Sequence, residues 1–463
     1  MLPTTLFNAR NFAKNIIVMN SNKYLISLAL TTIVSLNLLA PRTYAQGGTK
    51  ILSLQEAVEK ALSNNAGIRL AKLDQDIASA NYKQTEAAYL PQVTLSYTAI
   101  TTNEPLNSFG FKLEQRTITP NDFNPALLNY PSRTSDFMTK LEVQQPILNV
   151  DMLYMRKGAQ KQTEVYQYKT QRTKEYLTFQ VQKAYLQLQL AYNAVNVLEE
   201  ALQNVQSVYT FTDNHFKQGL IQKSDLLNAQ VQVTSVGSKL NKAKSSIRDA
   251  SDGLSLLMGQ PSGVVYKANA TKEKHVTDTT LKIGASRSDF MAMNKAIEAS
   301  GLMLKSTQMS YLPKLNAFGN YQYSDSHLTG FGANSYFAGV QLSWDIFKGN
   351  KRKNTITLQK LERDKLSEQL AQQKDQSQVE LNKAYRDLSD ARFEIEQDQA
   401  AIEQASESLR ILQNRYQQGL VNTTDVLMAD TQLSQQKFAL VQAQFNLNLT
   451  GYYIQLLTST TTK

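Results

Sequence analysis

Few residues in this 463-residue chain could carry out chemistry, and their spacing limits which chemistry that is. The chain has no cysteine, which excludes a thiolate nucleophile, a disulfide framework, a cysteine-ligated zinc site and a lipid anchor on cysteine. Its three histidines, His215, His275 and His327, lie far apart without an HExxH or similar spacing. No phosphate-binding glycine loop is present. The sequence therefore predicts no enzyme, no metal site and no cofactor, with the histidines on the surface.

Two aspartates, Asp225 and Asp425, recur in the same local context. Residues 214–229 (NHFKQGLIQKSDLLNA) align without gaps on residues 414–429 (NRYQQGLVNTTDVLMA), with identities at seven of 16 positions. A fixed internal repeat of this kind bears on the whole fold before any single motif is considered.

A hydroxyl residue precedes each aspartate, Ser224 before Asp225 and Thr424 before Asp425. A hydroxyl N-cap followed by an acid near the positive end of the helix dipole stabilises any helix, and the acid contributes ~0.3–1 kcal/mol. Helix capping is thus one interpretation of these residues, and it requires no functional site.

The repeat extends to the whole chain. Residues 88–92 (AYLPQ) match residues 310–314 (SYLPK). Each half therefore contains a helix ending at Tyr-Leu-Pro, a β region, a very long helix, a QGL turn and another helix. The two halves cover roughly residues 51–265 and 283–463, and residues 259–284 form a connecting segment that contains Gly, Pro, Lys and Thr.

The N-terminal residues 1–45 have the organisation of a secretory signal peptide. A basic region through Lys23 precedes an apolar stretch from Tyr24 to Ala40 and small residues that end at Ala45. We therefore expect residues 1–45 to be removed on export. The alternative is a membrane anchor, although about 17 apolar residues are at the lower limit for spanning ~30 Å.

The formal net charge of +10 falls to +6 without this segment, because Arg10, Lys14, Lys23 and Arg42 are its charged residues. The other 45 basic and 39 acidic residues are interspersed along predicted helices. This is the pattern of solvated faces rather than of a phosphate-binding stripe, so we expect no nucleic-acid partner.

Four segments alternate apolar and polar side chains, which predicts β-strands of about ten residues. They are residues 91–101, 135–146, 313–324 and 334–346. The polar faces include charged residues, namely Asp136, Lys140, Glu142, Lys314 and Asp345. Such strands could cross a bilayer when tilted, but a half-buried sheet of a soluble domain shows the same alternation.

Residues 159–218 and 351–418 contain no Gly or Pro and predict continuous helices of roughly 90–100 Å. Apolar residues recur along both at heptad spacing, for example Val181, Tyr185 and Leu188, which is typical of coiled-coil-like packing. Helices of this length do not fit a globular domain, and they favour the membrane interpretation of the strands.

Four strands cannot close a barrel, and an unpaired strand edge in lipid is prohibitive, so the strands must be pooled between chains. Two chains give eight strands with a filled interior, whereas three give twelve and can leave a water-filled bore. The charged polar faces favour water and hence a homotrimer. Because each pair of strands is flanked by helices on one side, the helices should form a hollow stalk across the periplasm, below a barrel in the outer membrane.

These features resemble the TolC-like outer-membrane efflux protein (outer membrane factor) family. The resemblance rests on the duplicated half, Tyr-Leu-Pro before the strands, residues 145–148 (QPIL) after them and the two QGL turns. It covers nearly all of residues 46–463. It implies an α+β membrane protein in which a trimer-shared transmembrane β-barrel, four strands per chain and 12 in the trimer, stands on a long coiled-coil-like α-helical barrel.

The resemblance also implies the partners and the site. A periplasmic adaptor (membrane fusion) protein would link the channel to an inner-membrane pump of RND or ABC type. The family's adaptor-docking tips correspond to the two QGL turns, at Gly219, Leu220, Gly419 and Leu420.

Three further residues match family positions at the periplasmic end. Asp425, repeated three times around the trimer axis, corresponds to an acidic constriction, and Tyr416 with Asp225 corresponds to a latch pair. The chain departs from the TolC pattern at Val421, where TolC has an arginine, and at Met428, where TolC has a second aspartate.

The resulting prediction is an outer-membrane exit duct of a tripartite efflux or secretion system. The alternatives are the outer-membrane component of type I protein secretion and a secreted structural coiled-coil protein or adhesin. The latter would explain the heptads but not the four amphipathic strands between them.

Overall fold

The computed structural model describes residues 50–269 and 282–459. The predicted signal peptide, the centre of the predicted connecting segment and His275 lie outside the described residues. The elements from Ile51 onward form one unit.

Helices dominate the chain and strands interrupt them in both halves, which makes the fold α+β. The elements of the first half are β1 (Lys50–Leu52), α1 (Leu54–Asn64), α2 (Ala66–Gln84), β2 (Gln92–Thr102), α3 (Pro105–Glu114), α4 (Pro125–Asn129), β3 (Thr134–Leu148), α5 (Val150–Lys217), α6 (Lys223–Leu257) and β4 (Tyr266–Ala268). Those of the second half are α7 (Ser288–Met309), β5 (Lys314–Asp325), β6 (Ala333–Ser343), α8 (Lys351–Gln417) and α9 (Thr423–Thr458).

The four long strands form one antiparallel sheet in the order β2-β3-β5-β6, with β2 and β6 at its edges. The register aligns the alternating faces across the sheet. One row consists of Leu95, Leu141, Tyr321 and Tyr336, each opposite the next. Another row on the other face consists of Ser96, Lys140, Gln322 and Ser335. The sheet therefore has one apolar side and one largely polar side.

The apolar side lies open in the single chain. Its large side chains are between 40% and 80% exposed, and they include Val93, Leu95, Tyr97, Tyr321, Tyr336, Val340 and Leu342. Apolar surface of this extent is covered by lipid or protein in the working molecule.

The last predicted strand, residues 334–346, is shorter in the structure because the chain turns away after Ser343. The Trp344 indole N–H donates to the Tyr311 carbonyl oxygen at 2.8 Å, and the Asp345 carboxylate lies 2.5 Å from Lys348 Nζ. Asp345 thus lies outside the strand and helps to form the turn into α8.

The segment between β2 and β3, residues 103–133, contains the short helices α3 and α4. Proline occupies the first turn of both helices, at Pro105 and Pro125, where its missing N–H costs no hydrogen bond.

Each strand of the sheet is joined to one helix. Helices α2 and α7 precede β2 and β5, and helices α5 and α8 follow β3 and β6. Helices α2 and α5, α5 and α7, and α7 and α8 pack together, so the helices follow the order of the strands. The joints differ in length. Asn149 alone separates β3 from α5, whereas seven residues, 344–350, separate β6 from α8. Gly349 and Asn350 in the longer joint have positive φ, +58° and +62°.

Helix α5 is the centre of the unit. It begins at Val150, before the predicted start, and passes through Gly158, where an added Cβ would lie 3.2 Å from the Met303 side chain. Its Tyr185 is fully buried, and the hydroxyl donates to the Leu52 carbonyl oxygen at 2.8 Å. This bond ties α5 to the small β1-β4 sheet. Among the described residues, no helix is both long and apolar enough to cross a membrane.

Candidate functional site

Two turns join the pairs of long helices: residues 218–222 between α5 and α6, and residues 418–422 between α8 and α9. The first turn closes with two backbone bonds, from the Gly219 amide to the Phe216 carbonyl at 2.9 Å and from the Leu220 amide to the His215 carbonyl at 3.0 Å. This pair of bonds is a Schellman motif, which satisfies carbonyls left free at a helix end.

The second turn repeats this geometry. The Gly419 amide donates to Tyr416 at 3.0 Å and the Leu420 amide to Arg415 at 2.9 Å. The φ angles of Gly219 and Gly419 are +73° and +75°, in the left-handed region that glycine adopts without penalty. A Cβ at either position would meet nothing within 4 Å, so backbone conformation rather than space requires glycine.

The leucine after each glycine is exposed, Leu220 at 64% and Leu420 at 69%. In many Schellman motifs the residue at this position packs on the last turn of its own helix. Here the residues across the motif are the polar His215 and Arg415, which offer no apolar partner. Each turn therefore presents a leucine to its surroundings.

The helices after the turns begin earlier than the Ser224 and Thr424 caps that the sequence suggested. Asn422 is the N-cap of α9, and its side chain accepts from the Asp425 amide at 2.9 Å. The Asp425 carboxylate accepts from the Asn422 amide at 3.3 Å, which completes a capping box. Gln222 caps α6 without a side-chain bond. The hydroxyl-cap interpretation was wrong for both helices: the Asn422 side chain takes that role in α9, and α6 has Gln222 as its N-cap with no side-chain capping bond.

Tyr416 is buried beneath the second turn. Its hydroxyl lies 2.7 Å from Thr212 Oγ1 and 2.9 Å from Thr423 Oγ1, and its ring lies 4.9 Å from that of Phe211. Tyr416 thus joins α8 to α5 and to the start of α9. No bond between Tyr416 and Asp225 occurs among the described residues.

Asp425 and Met428 line a groove of about 810 Å³ between α6, α8 and α9. They lie three residues apart, on one face of α9, and Met428 is 67% exposed. Val421 instead packs partly against the core. The two positions that depart from the TolC pattern therefore have different surroundings: Met428 faces an open groove, and Val421 has apolar neighbours.

One further acidic residue, Asp430, lies buried between α5 and α9 and was not among the predicted site residues. Its carboxylate accepts from Asn204 Nδ2 at 2.8 Å. Burial raises the pKa of Asp430, and nearby Glu200 raises it further, against the opposing effect of Asn204 and Lys437. The sequence does hold a signal, because Asp430 falls among the apolar positions of α9 that face the core.

The described histidines do not form a site together. His215 stacks on Phe211 with ring centroids 4.1 Å apart, and His327 is exposed with its Nδ1 3.1 Å from the Asp325 carboxylate. In residues 50–269 and 282–459, no group of three or more His, Asp or Glu side chains could hold a metal ion.

Comparison with known proteins identifies relatives over most of this architecture. The chain is 24% identical over 409 residues to the cation efflux system protein CusC of Escherichia coli K12, covering 84% of this chain and 82% of that protein. It is 23% identical over 393 residues to the probable outer membrane lipoprotein SilC of Salmonella typhimurium, covering 81% and 79%.

A crystal structure of CusC has the same fold. It superposes with a TM-score of 0.76 at 18% sequence identity, covering 91% of this chain and 96% of CusC. The model of the family described as "Outer membrane efflux protein" matches residues 57–260 and 282–450, which include the sheet, both turns and the long helices apart from the last eight residues of α9. This chain belongs to the outer membrane efflux protein family.

Proposed function

We propose that three copies of this outer-membrane efflux channel form one duct, with a 12-stranded barrel in the membrane and a helical tube in the periplasm. A periplasmic adaptor and an inner-membrane pump of RND or ABC type would deliver cargo to its lower end. The observation that carries this proposal is the sheet, which has an exposed apolar side, a polar side and two free edges.

The free edges require a second copy. Strands β2 and β6 each have one neighbour, and their outer N–H and C=O groups would be unpaired in lipid, at several kcal/mol for each group. Pairing β6 of one copy with β2 of the next satisfies these groups and repeats until the ring closes. The polar side carries Lys140 and Glu142, which favour a wide, water-filled interior and therefore three copies rather than two.

The helices at the sides of the unit carry matching apolar stripes. On α2, Leu70, Leu73 and Ile77 are 63%, 56% and 58% exposed at heptad spacing, on the face opposite its contact with α5. On α8, Leu358 and Leu361 are 56% and 62% exposed, on the face turned away from α7 and α9.

The two stripes also lie at the same height. Ile77 is seven residues from the end of α2 that adjoins the sheet, and Leu358 is seven residues from the corresponding end of α8, roughly 10 Å in each case. Because α2 leads into one edge strand and α8 follows the other, joining the edges brings the stripes of neighbouring copies together.

The lower end of the duct would dock the adaptor through the two turns. Leu220 and Leu420 are exposed apolar side chains on hydrogen-bonded glycine turns. A partner can therefore bury them with little loss of backbone conformational entropy. Three copies of Asp425 near the axis would form an acidic constriction that attracts cations. Val421 and Met428 limit the similarity to TolC at this gate.

The experiment uses the absence of native cysteine. The pairs Ile77→Cys with Leu358→Cys, and Leu73→Cys with Leu361→Cys, should give covalent trimers on mild oxidation. Ser79→Cys with Leu358→Cys is the matched control, because Ser79 lies on the α5 side of α2. A monomer or dimer mass in mild detergent would overturn the trimer. A trimer without cross-links would overturn only the helix contacts.

A further inference from the structure

Two phenylalanines interrupt the polar side of the sheet. Phe318 on β5 lies opposite Gln144 and Gly339, and Phe337 on β6 lies opposite Asn320. Both residues follow the register of the polar rows, so their side chains are on the side that carries Lys140 rather than on the apolar side.

The two rings form a pair near the middle of their strands. Their centroids are 5.5 Å apart with the planes inclined at 34°. A Cβ added to Gly339 would lie 2.9 Å from Phe318 Cζ, so the ring of Phe318 lies over the backbone of β6 where that glycine leaves space. Phe337 lies beside it and is 63% exposed in the single chain.

Stabilisation of the sheet accounts for only one of these rings. Phe318 covers a glycine, which is a recognised way to support a strand that lacks a side chain. Phe337 covers no glycine, and the register places the polar residues Asn320, Gln322 and Ser335 around it. In the proposed barrel, β2 of the next copy would lie beside β6, and its residues on this side, Thr94, Ser96 and Thr98, are polar. Phe337 would thus remain a phenyl ring in a polar, water-facing surface, which is unfavourable unless the ring has a partner for part of the time.

We propose that Phe318 and Phe337 form a stacking site for planar aromatic cargo on the inner wall of the barrel. The inference rests on the proposed function, since that assigns the polar side of the sheet to the bore. Three such pairs would lie at one height around the axis. Aromatic molecules bind phenyl rings in offset or edge-to-face geometry, and a shallow wall site lets them leave again.

Single-channel recording in planar bilayers tests the site directly. Ethidium, a planar aromatic cation, and tetraethylammonium, an aliphatic cation of the same charge, are added from the barrel side. In the natural channel ethidium should block for at least several times longer than tetraethylammonium. Phe337→Ser should shorten the ethidium block at least threefold and leave both the tetraethylammonium block and the conductance in potassium chloride unchanged.

Two variants separate stacking from structure. Phe337→Tyr keeps an aromatic ring and should retain the long ethidium block. Tyr336→Ser removes the neighbouring aromatic residue from the opposite face of β6 and should not shorten it. Equal block times for the two cations in the natural channel would overturn the site, and this test does not need the Phe337→Ser variant to assemble. An unchanged ethidium block in a conducting Phe337→Ser channel would overturn it too. Failure of the natural protein to form channels would instead overturn the proposed function.

Discussion

Helices α5 and α8 occupy equivalent places in the two halves and have nearly equal lengths, 68 and 67 residues, yet they are buried differently. Sixteen residues of α5 are buried, against nine of α8. Helix α5 packs against α1, α2, α6, α7 and α9, whereas α8 packs chiefly against α7 and α9. One long helix thus serves as the core of the unit, whereas the other keeps a long face for other contacts.

The largest effect should come from the buried side of this comparison. Tyr185→Ala on α5 removes a fully buried ring and its hydrogen bond, and it should lower the free energy of unfolding by about 3–5 kcal/mol. Phe393→Ala on α8 removes a ring that is 63% exposed in the single chain, so its contacts within one chain account for a change of less than about 0.5 kcal/mol in the free energy of unfolding. Denaturation of detergent-solubilised protein followed by circular dichroism measures both. A comparable loss at Phe393 would mean that this face of α8 is buried between copies.

The substitution Leu420→Asp should change stability less than Tyr185→Ala does, but it should reduce transport strongly. The substitution places a charge where the adaptor would bury a leucine and should weaken adaptor binding about 30-fold, or about 2 kcal/mol. The trimer should remain intact on unheated gels. Because the first turn has the same geometry, Leu220→Asp should act in the same direction. Persistent transport in the double variant would exclude docking through these leucines.

The two helix starts should respond unequally to loss of the acid. Asp425→Asn breaks the capping box with Asn422 and should destabilise the first turn of α9 by about 0.5–1 kcal/mol, detectable as faster amide exchange there. Asp225→Asn should do less, because the Gln222 side chain makes no capping bond. In potassium chloride gradients, Asp425→Asn should also lose most of the cation selectivity. Unchanged selectivity would leave Asp425 as a capping residue alone.

The smallest effect concerns the pH dependence of stability. The pKa of Asp430 is raised above its ordinary value of 3.8, so the folded chain holds this proton more tightly than the unfolded chain. Its contribution to stability is therefore greatest below the ordinary value and falls as the pH rises through the raised pKa. Asp430→Asn, which keeps a side-chain oxygen that can accept from Asn204, should reduce the fall in melting temperature that this carboxyl causes as the pH rises from about 4 to 8. A larger fall in the variant would contradict the sign of the shift.

Sequence patterns located the strands and long helices because each depends on a local periodicity. Alternation places Leu95, Leu141 and Tyr321 on one face whatever the partners are, and the observed register then aligns those faces. The absence of Gly and Pro indicated the long helices, although α5 also tolerates Gly158 because that position permits close contact with Met303. The start of α5 at Val150 could not be predicted, because it depends on the contact between Gly158 and Met303.

Other features depend on contacts between distant residues and could not be predicted. The buried bond between Asn204 and Asp430 joins residues 226 positions apart. The pairing of Phe318 with Phe337 needs the register of β5 and β6, which alternation alone does not fix. The helix cap at Asn422 was missed for a more local reason, since three capping residues in a row, Asn422, Thr423 and Thr424, compete for the same role.

The unequal joints between sheet and helices give the two halves different mechanics. One residue, Asn149, has about two soft backbone dihedrals, so the orientation of β3 relative to α5 is closely fixed. Residues 344–350 have about fourteen, of which the bond from Trp344 to Tyr311 and the ion pair of Asp345 with Lys348 fix only a part. We therefore expect a movement of the first turn to shift β3 more directly than the same movement of the second turn shifts β6.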